Sequence, residues 1–435
     1  MSHPVPIYST LADWIQQAAI PFSLDSSETF SAAVDRLIAS LDDSVELLGF
    51  GEALHGGEEI LMLRNQLFKY LVKKYGYSAI AIESSFPRAH IVNEYVAGRG
   101  PASYEDIQEA GFSHGFGRLE ANRELVKWMR EYNADPSHQI KIRFYGFDSP
   151  SEMMYADSPR HLLHFVLDYL TSVDSASGRY HHEQIDPLLG NDAEWENPAA
   201  AMDPTRSVGL SSNANALRIE TEDLISEINE RRPELVDKTS DDQYLKAVQY
   251  ATVARQLLNY HAVSARNSDD RLVRLLGIRD AMMADNLTYI VSRERSRGKV
   301  LAFAHNSHLK RGKTHMQLGP YALKWWPAGS HLYEMFGPRY AIISSGVGVS
   351  EENGIGLPQS GTLEALLTGL PEPALFIPTH KGQGLPASEI AALPTRLGSI
   401  KNPTYFPFTS EDFTDFDWLV ILDSTTYGRG GPQLQ

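Results

Sequence analysis

The stretch between Val45 and Glu83 constrains the fold most, because it predicts two parallel strands joined by a helix. An apolar run from Val45 to Phe50 is followed by the segment GEALHGG and then by a helical pattern from Glu58 to Lys74. A second apolar run, from Ser78 to Ile82, stops at Glu83. Short β-rich runs on either side of an amphipathic segment are typical of a strand–helix–strand unit with parallel strands.

Ionisable side chains follow both predicted strands. Glu52 and His55 come directly after the first strand, and Glu83 ends the second. The carboxyl ends of parallel strands face a crevice in which ligands bind, so we expect these three side chains to lie together. Arg64 falls on the apolar stripe of the intervening helix, where a guanidinium needs a carboxylate partner. We therefore predict that Arg64 pairs with Glu52 or Glu83.

The same pattern recurs in two later predicted strands. The run from Ile140 to Phe147 leads into Asp148, and the run from Val300 to Ala304 leads into His305 and His308. One acid after a strand is ordinary, because acids often cap the next helix. Four strands that end in ionisable groups indicate a shared polar site at the carboxyl edge of one sheet.

Together these segments predict an α/β fold, with a three-layer core around a mostly parallel sheet and a helical lobe covering the cleft at the strand carboxyl ends. Further strands are predicted at 340–345, 374–378 and 418–422, and lobe helices at 217–232, 241–264 and 269–293. The predicted units are 1–170 and 298–435 for the two parts of the core, and 171–297 for an insertion and the lobe. Residues 171–215 are rich in Ser, Asp, Asn, Pro and Gly and predict a loosely packed segment.

Composition narrows the class of partner. The formal net charge of −16 over 435 residues argues against nucleic acid and anionic membranes as partners. The absence of cysteine excludes disulfides, thiolate metal sites and a cysteine nucleophile. Neither a signal peptide nor a run of 18 apolar residues is visible, so the predicted location is cytoplasmic. No cofactor is predicted, and the oligomeric state does not follow from the sequence.

The predicted cluster supports two kinds of hydrolytic chemistry. A histidine flanked by carboxylates suits general-base activation of water, and a second histidine can donate to an oxyanion or protonate a leaving alkoxide. The same residue types also bind divalent metals, with His55, Glu83 and His305 as the ligands. Spacing does not decide between these alternatives, although the H-E-x-x-H zinc motif is absent.

A nucleophilic serine is not predicted, although one motif nearly fits. Residues 111–115, GFSHG, match G-x-S-x-G, but Ser103–Ala110 before them form a polar pattern rather than the apolar strand that a nucleophile elbow requires. Ser113 is therefore not expected to attack a substrate. The loop from Phe112 to Phe116 and the Trp325-Trp326 pair are instead predicted to line a partly apolar cleft.

The order of several motifs is similar to that of the erythromycin esterase family. They are GEALHGGEE, LMLRNQLFKYLV, AIAIESSFPRAHIVNEYVAG, WMREYN, FYGFDSP, IRDAMMADNL and LAFAHNSHLKRG. The resemblance runs from about Leu48 to the last predicted strand, except for 171–215. The chain departs from it after Glu83, where Ser84-Ser85-Phe86 replaces an Ala-Asp-Trp sequence.

The resemblance implies an α/β esterase that opens a macrolide lactone by hydrolysis without a covalent serine intermediate. His55 corresponds to the base that activates water, and the implied catalytic set is His55, Glu52, Glu83, Arg64, His305 and His308. The implied substrate-binding set is Phe112, His114, Phe116, Asp148, Arg279 and Trp325. Arg279 is expected either to reach the cleft or to form a salt bridge with a neighbouring acid. A metal-dependent hydrolase and a non-catalytic small-molecule binding protein remain alternatives.

Overall fold

The computed structural model describes residues 5–151, 155–368 and 370–432. Its strands are β1 (Ile20–Phe22), β2 (Leu47–Glu52), β3 (Tyr77–Ser85), β4 (Arg143–Asp148), β5 (Lys299–His305), β6 (Thr314–Leu318), β7 (Tyr321–Trp325), β8 (Tyr340–Val349), β9 (Ala374–Pro378) and β10 (Trp418–Ser424). The first half of the helices comprises α1 (Leu11–Ala18), α2 (Ser27–Ser40), α3 (Glu58–Tyr75), α4 (Ala89–Val96), α5 (Glu120–Ala134), α6 (Arg160–Val173), α7 (Ser175–Leu189) and α8 (Asp192–Trp195). The remaining helices are α9 (Ser212–Glu230), α10 (Arg232–Lys238), α11 (Asp241–Ser264), α12 (Arg271–Glu294), α13 (Asn306–Leu309), α14 (Ala328–Phe336), α15 (Leu363–Leu367), α16 (Ala387–Ala392) and α17 (Asp412–Asp415).

The main sheet has eight strands in the order β1-β9-β10-β8-β2-β5-β3-β4. From β10 to β4 every neighbouring pair is parallel, and β9 runs antiparallel to both β10 and β1. The predicted mostly parallel α/β fold is thus confirmed. β2 and β3 are parallel as predicted, but they are not neighbours, because β5 from the later part of the chain lies between them.

Apolar side chains on both faces of the sheet produce the three layers. Along β3, Ile80 and Ile82 belong to a core cluster with residues of α2, α3 and α5, whereas Ala79 and Ala81 belong to a second cluster with α1, α12 and α14. Successive side chains of a strand point to opposite faces, so one continuous apolar run supplies both layers.

A third apolar cluster holds the helical lobe together. It contains buried leucine and isoleucine side chains of α6, α7, α9 and α11, among them Leu167, Ile185, Leu224 and Leu257. α12 joins this lobe to the sheet, because its Met282 belongs to the lobe cluster and its Leu287 belongs to the second core cluster, which packs against the strands.

The segment 171–215 differs from the prediction of loose packing. It contains α7, α8 and the start of α9, and Ile185 and Leu189 are fully or almost fully buried. The polar residues that suggested a loop instead begin helices. Asp174, for example, accepts hydrogen bonds from the backbone N–H groups of Ala176 and Ser177 at the start of α7. The division of the chain into the three predicted units remains a prediction.

Among the elements that were not predicted are three short strands. β6 and β7 form a separate antiparallel hairpin within a segment predicted to be a connection, and β1 adds a three-residue edge to the main sheet.

None of the described helices combines the length and the apolar character that crossing a membrane requires.

Candidate active site

Four strand ends meet at one edge of the sheet, as the sequence predicts. β2, β5, β3 and β4 are consecutive, and their last residues are Glu52, His305, Ser85 and Asp148, with Glu83 two residues before the end of β3. The register places Glu52 opposite His305.

Gly51 in β2 lies against the start of α13. A Cβ atom on Gly51 would overlap Asn306, whose side chain hydrogen-bonds the backbone of Ser345 on β8. The absence of a side chain at Gly51 therefore lets the backbone turn after His305 pack against the strand that carries Glu52.

His55 and Glu52 form a close pair. The distance between His55 Nδ1 and Glu52 Oε1 is 2.6 Å, and the backbone N–H of His55 donates to Thr404 Oγ1 at 2.9 Å. Among the described residues nothing hydrogen-bonds His55 Nε2, and 29% of the His55 side chain is exposed. One ring nitrogen is thus fixed by a carboxylate, while the other remains available to a ligand or water.

The pair differs from free side chains in its proton affinity. Burial alone would lower the pKa of His55, but the hydrogen bond and the negative charge of Glu52 raise it above its ordinary value. Burial, helped by the charge of Glu83, raises the pKa of Glu52 although the hydrogen bond from His55 acts in the opposite direction. The second carboxylate oxygen, Oε2, is buried without a hydrogen-bond partner among the described residues. The pair therefore binds a proton more strongly than an isolated imidazole does.

Glu83 is surrounded by donors. Its Oε1 accepts from Arg279 Nη2 at 2.9 Å and lies 3.3 Å from His308 Nε2, and its Oε2 accepts from the backbone N–H of His305 at 2.8 Å. Burial opposes ionisation, but the charge and hydrogen bond of His308 hold the pKa of Glu83 well below its usual range. Glu83 is accordingly an ionised carboxylate.

Arg279 extends this network to β4. Its Nε and Nη2 donate to the two oxygens of Asp148 at 2.9 and 2.7 Å, and His114 Nε2 lies 2.9 Å from the same carboxylate. Burial raises the pKa of Asp148, but Arg279 and His114 outweigh it and lower that pKa to about 2. Arg279 therefore reaches the site and also forms salt bridges with acids, so both outcomes allowed by the sequence occur together.

His308 carries a positive charge in this cluster. Its Nδ1 lies 2.7 Å from Asp280 Oδ1, which also accepts from the backbone N–H of Ala328, while Asp280 Oδ2 accepts from Trp325 Nε1 at 2.6 Å. Burial lowers the pKa of His308, but Asp280 and Glu83 outweigh it and raise that pKa to about 10. Both ring nitrogens are then donors between two carboxylates.

His305 has a different character. Its Nδ1 accepts from the backbone N–H of Ser307 at 3.1 Å, and its Nε2 lies 2.8 Å from the carbonyl oxygen of Thr404. Burial and the neighbouring His55 lower the pKa of His305 to about 3, so it is neutral with the proton on Nε2. Because both nitrogens are engaged, His305 has none left to donate to an oxyanion or a leaving group.

The predicted partner of Arg64 is wrong. Its guanidinium donates from Nε and Nη2 to Asn65 Oδ1 at 3.1 and 2.7 Å and lies 4.7 Å from the centre of the Phe303 ring. No described carboxylate lies within salt-bridge distance, and burial lowers the pKa of Arg64 to about 10. Arg64 nevertheless borders a cavity of about 10 Å³ together with Glu52 and Glu83, which is near the smallest volume that holds one water molecule.

The aromatic residues predicted to bind substrate occupy three kinds of position. Phe112 is 2% exposed and packs against Phe144 in the core, so it offers no surface to a ligand. Trp325 is 6% exposed and orients Asp280 instead of lining a cleft. Phe116 is half-buried with its ring centre 5.3 Å from that of His55, so it alone of these three borders the candidate base.

Ser113 has a structural environment. Its Oγ accepts from the backbone N–H of Ser85 at 2.9 Å and lies 3.4 Å from Ser84 Oγ, and its residue is 1% exposed. It precedes a short 3₁₀-helix at Phe116–Arg118 rather than standing between a strand and an α-helix. The Ser113 hydroxyl is buried and hydrogen-bonds no histidine among the described residues, unlike an activated serine.

A metal ion fits the central cluster poorly. Ligand atoms of Glu52, His55 and Glu83 do lie within 4.8 Å of one another. However, Glu83 is already neutralised by Arg279 and the cationic His308, which would repel a second cation. The predicted ligand set also included His305, whose two nitrogens have protein partners. The donor set thus favours hydrogen-bonding chemistry over metal coordination.

Sequence reasoning missed three contributors, which are Asp280, Asn402 and Thr404. Asp280 follows Arg279 directly in the IRD segment of the predicted helix. That adjacency to a predicted site residue was the sequence signal for Asp280. A loop near the C-terminal end carries Asn402 and Thr404, which hydrogen-bond His55 and His305. No sequence pattern indicated these two residues, because the loop has no regular periodicity.

A recess of about 350 Å³ opens elsewhere, between α9, α11 and α12. Arginines 218, 266 and 274 line it, and none of the predicted site residues does. It is therefore separate from the cluster around His55.

Comparison with known proteins identifies the family of this chain. A sequence model of the erythromycin esterase family matches residues 72–425. Erythromycin esterase type II of Escherichia coli is 23% identical over 304 residues, which cover 69% of this chain and 68% of that protein.

Solved structures share the fold. A Bacillus cereus protein aligns with a TM-score of 0.74 and 18% identity over 97% of this chain and 98% of its own. A mutant of the erythromycin esterase EreC in its open conformation aligns with a TM-score of 0.65 and 17% identity over 93% of this chain and 97% of its own. Because the family match covers most of the sequence, the predicted resemblance is confirmed. The chain belongs to the erythromycin esterase family of carboxylic ester hydrolases.

Proposed function

We propose that this protein hydrolyses the lactone ester of a macrolide-like substrate, with His55 as the general base that activates water. The substrate class is suggested by relatives named erythromycin esterase. The role of His55 rests on one observation, the pair in which Glu52 holds Nδ1 while Nε2 has no protein partner among the described residues. That arrangement fixes the tautomer and points the basic nitrogen away from its support.

The reaction begins with proton transfer from water to His55 Nε2 as the water oxygen attacks the lactone carbonyl carbon. The proton on Nδ1 stays on the imidazole and remains hydrogen-bonded to Glu52, whose negative charge stabilises the imidazolium that forms. The bond to the ring oxygen then breaks, and His55 returns the proton to the departing alkoxide. The product is a linear hydroxy acid with one added water, and no covalent enzyme intermediate is formed.

Arg279 is the proposed donor to the oxyanion. Its Nε and Nη2 are bound to Asp148 and Glu83, whereas Nη1 has no carboxylate partner among the described residues and lies 3.4 Å from His308 Nε2. The fixed guanidinium needs no reorganisation when negative charge develops on the carbonyl oxygen, which is the condition for strong electrostatic stabilisation.

His305 is assigned a positioning role and His308 an electrostatic one. His305 fixes the loop of Thr404, which in turn binds the backbone of His55. His308 balances the charge of Glu83 and makes that carboxylate a weaker base, so Glu83 does not compete with His55 for the proton of the attacking water.

Mass spectrometry of a macrolide panel tests the proposal. Wild-type protein should add one water to at least one macrolide, and the addition should persist with a chelator present. His55→Ala should abolish it, whereas His138→Ala should not, because His138 stacks on Tyr132 just before the amino end of β4, and the site lies at the carboxyl end of that strand.

Other results would change the assignment. Loss of activity with a chelator would favour a metal at Glu52, His55 and Glu83, where the ligand atoms are close enough. Binding of macrolides without any product would contradict hydrolysis and favour the non-catalytic alternative. Turnover of other esters but of no macrolide would overturn the substrate class alone.

A further inference from the structure

A second cluster of histidine and carboxylate side chains lies on the outside of the helical lobe. α6 and α7 follow each other with only Asp174 between them and pack as an antiparallel pair. His164 and Asp168 are four residues apart on α6, and His182 and Asp186 are four residues apart on α7. Residues four apart share one face of a helix, so each helix presents one imidazole and one carboxylate to its partner.

The two helices bring these groups into contact in a crossed arrangement. His164 Nε2 lies 2.8 Å from Asp186 Oδ1, and His182 Nδ1 lies 3.1 Å from Asp186 Oδ2. The two imidazole rings are 5.6 Å apart, and His182 Nε2 is 3.9 Å from Asp168 Oδ1. One ligand atom from each of His164, His182 and Asp186 falls within 4.8 Å of the others.

These separations suit a transition-metal ion. Ligand atoms about 2.0–2.2 Å from Zn²⁺ in a tetrahedral site stand roughly 3.3–3.6 Å from one another. The nitrogens and oxygens therefore need only small side-chain rotations to exchange their mutual hydrogen bonds for bonds to a metal. The side chains are 29–45% exposed, so an ion from solution can reach them.

The charge balance also leaves room for a cation. Among the described residues, Asp186 has ion pairs only with His164 and His182, and neither arginine nor lysine neutralises it. Arg160, one turn earlier on α6, is bound to Asp192 instead. Two neutral imidazoles with one carboxylate form a common binding set for Zn²⁺, and imidazole ligands favour it over Mg²⁺ and Ca²⁺.

The supporting helix is well fixed. On α7 the neighbouring positions His181, Ile185 and Leu189 are buried, so the backbone that carries His182 and Asp186 is held by the lobe core. A rigid backbone keeps the ligand positions in place before the metal arrives.

We propose that His164, His182 and Asp186 form a binding site for a divalent transition-metal ion of the Zn²⁺ type, with Asp168 or water as the fourth ligand. The ion links α6 to α7 and stabilises the helical lobe. This site is distinct from the cluster around His55, and it does not depend on the proposed hydrolytic function.

Calorimetric titration with ZnCl₂ tests the site, using protein with the printed sequence and no affinity tag. Wild-type protein should bind one Zn²⁺ per chain at this site. His164→Ala with His182→Ala, and separately Asp186→Asn, should weaken binding at least about tenfold. His138→Ala is the matched control for a half-buried histidine outside the cluster, and His55→Ala removes the other candidate group. Both variants should bind Zn²⁺ as wild type does.

Thermal melting gives a second measurement on the same variants. Zn²⁺ should raise the melting temperature of wild-type protein and of the two controls, because a ligand of the folded state stabilises it, but not that of the double variant. Mg²⁺ should have no such effect. The proposal is overturned if wild type binds no Zn²⁺, if the double variant binds it normally, or if His55→Ala alone removes binding.

Discussion

Glu52 and Glu83 stand at the same edge of the sheet, yet their charges are balanced in opposite ways. Glu52 has a single ring nitrogen as its partner and one oxygen without any among the described residues. Glu83 accepts from Arg279, His308 and the backbone of His305. Burial raises the pKa of Glu52, whereas the charge of His308 lowers that of Glu83 despite burial.

We therefore propose different roles for the carboxylates of Glu52 and Glu83, although the two groups are chemically identical. Environments that push the pKa values of neighbouring carboxylates apart are typical of sites that divide acid–base and electrostatic roles. The half around Glu52 is sparsely bonded and holds the proposed base His55, whose Nε2 has no protein partner among the described residues. The half around Glu83 is saturated with hydrogen bonds and forms a fixed electrostatic frame. Four experiments test this difference between the two carboxylates.

The largest expected effect is on the stability of the saturated half. Asp280→Asn leaves the cationic His308 buried without its main carboxylate, and breaking a buried ion pair typically costs about 3–5 kcal/mol. Urea unfolding should show a loss of about that size. Asp285→Asn on the same helix is the control, since its partner Gln256 is uncharged and the contact is exposed. An equal loss in both variants would contradict the role of the pair.

A pH dependence follows from the raised pKa of His308. Its pKa is 6.5 in the ordinary case and about 10 when folded, so the stabilisation is complete below pH 6.5 and is lost as the pH rises through 10. The free energy of unfolding of wild type should therefore fall over this range. The stability difference between wild type and His308→Asn should shrink between pH 6.5 and 10. A difference that is constant with pH would contradict a cationic His308.

In the sparse half, Glu52→Gln should weaken the base while keeping a hydrogen-bond acceptor for Nδ1. The limiting kcat/KM should fall roughly tenfold, equivalent to about 1.4 kcal/mol of transition-state stabilisation. Neutral His55 is the active form in the proposed mechanism, and Glu52 raises the pKa of His55, so the acidic limb of the pH profile should move to lower pH in the variant. Glu46→Gln, just before the other end of β2, should leave the profile unchanged.

The smallest effect is expected for Ser113→Ala. This change removes hydrogen bonds with Ser84 and Ser85, which are worth about 1 kcal/mol each at most, and no reacting group. The rate of ester hydrolysis should stay within about twofold of wild type. A loss comparable to that of His55→Ala would indicate a covalent serine mechanism.

The contrast between the two halves was only partly visible in the sequence. Glu52, Glu83, Asp148 and His305 could be placed together because parallel strands end at a common edge. Their partners could not be assigned, since hydrogen-bond choice depends on side-chain rotamers and burial rather than on spacing. Arg64 shows this well, because it faces the core as predicted but binds the adjacent Asn65 and stacks over Phe303.

The organisation of the sheet shows the same limit. The apolar runs identified β2, β3 and β5, but nothing in them indicated that β5, more than two hundred residues later, would lie between the first two. The role of the loop that carries Thr404 could not be predicted either. A single residue of it, Thr404, contacts His305 through its backbone carbonyl and His55 through its hydroxyl. Local pattern thus predicts elements better than it predicts long-range neighbours.

Chemical rescue tests the central claim, that His55 Nε2 activates the attacking water. The measurement is the rate of lactone opening by His55→Ala with and without added imidazole. The variant should be slower than wild type by roughly 10²- to 10⁴-fold, and imidazole should restore part of the rate by entering the space left by the side chain. A variant that opens the lactone at the wild-type rate without imidazole would contradict the account.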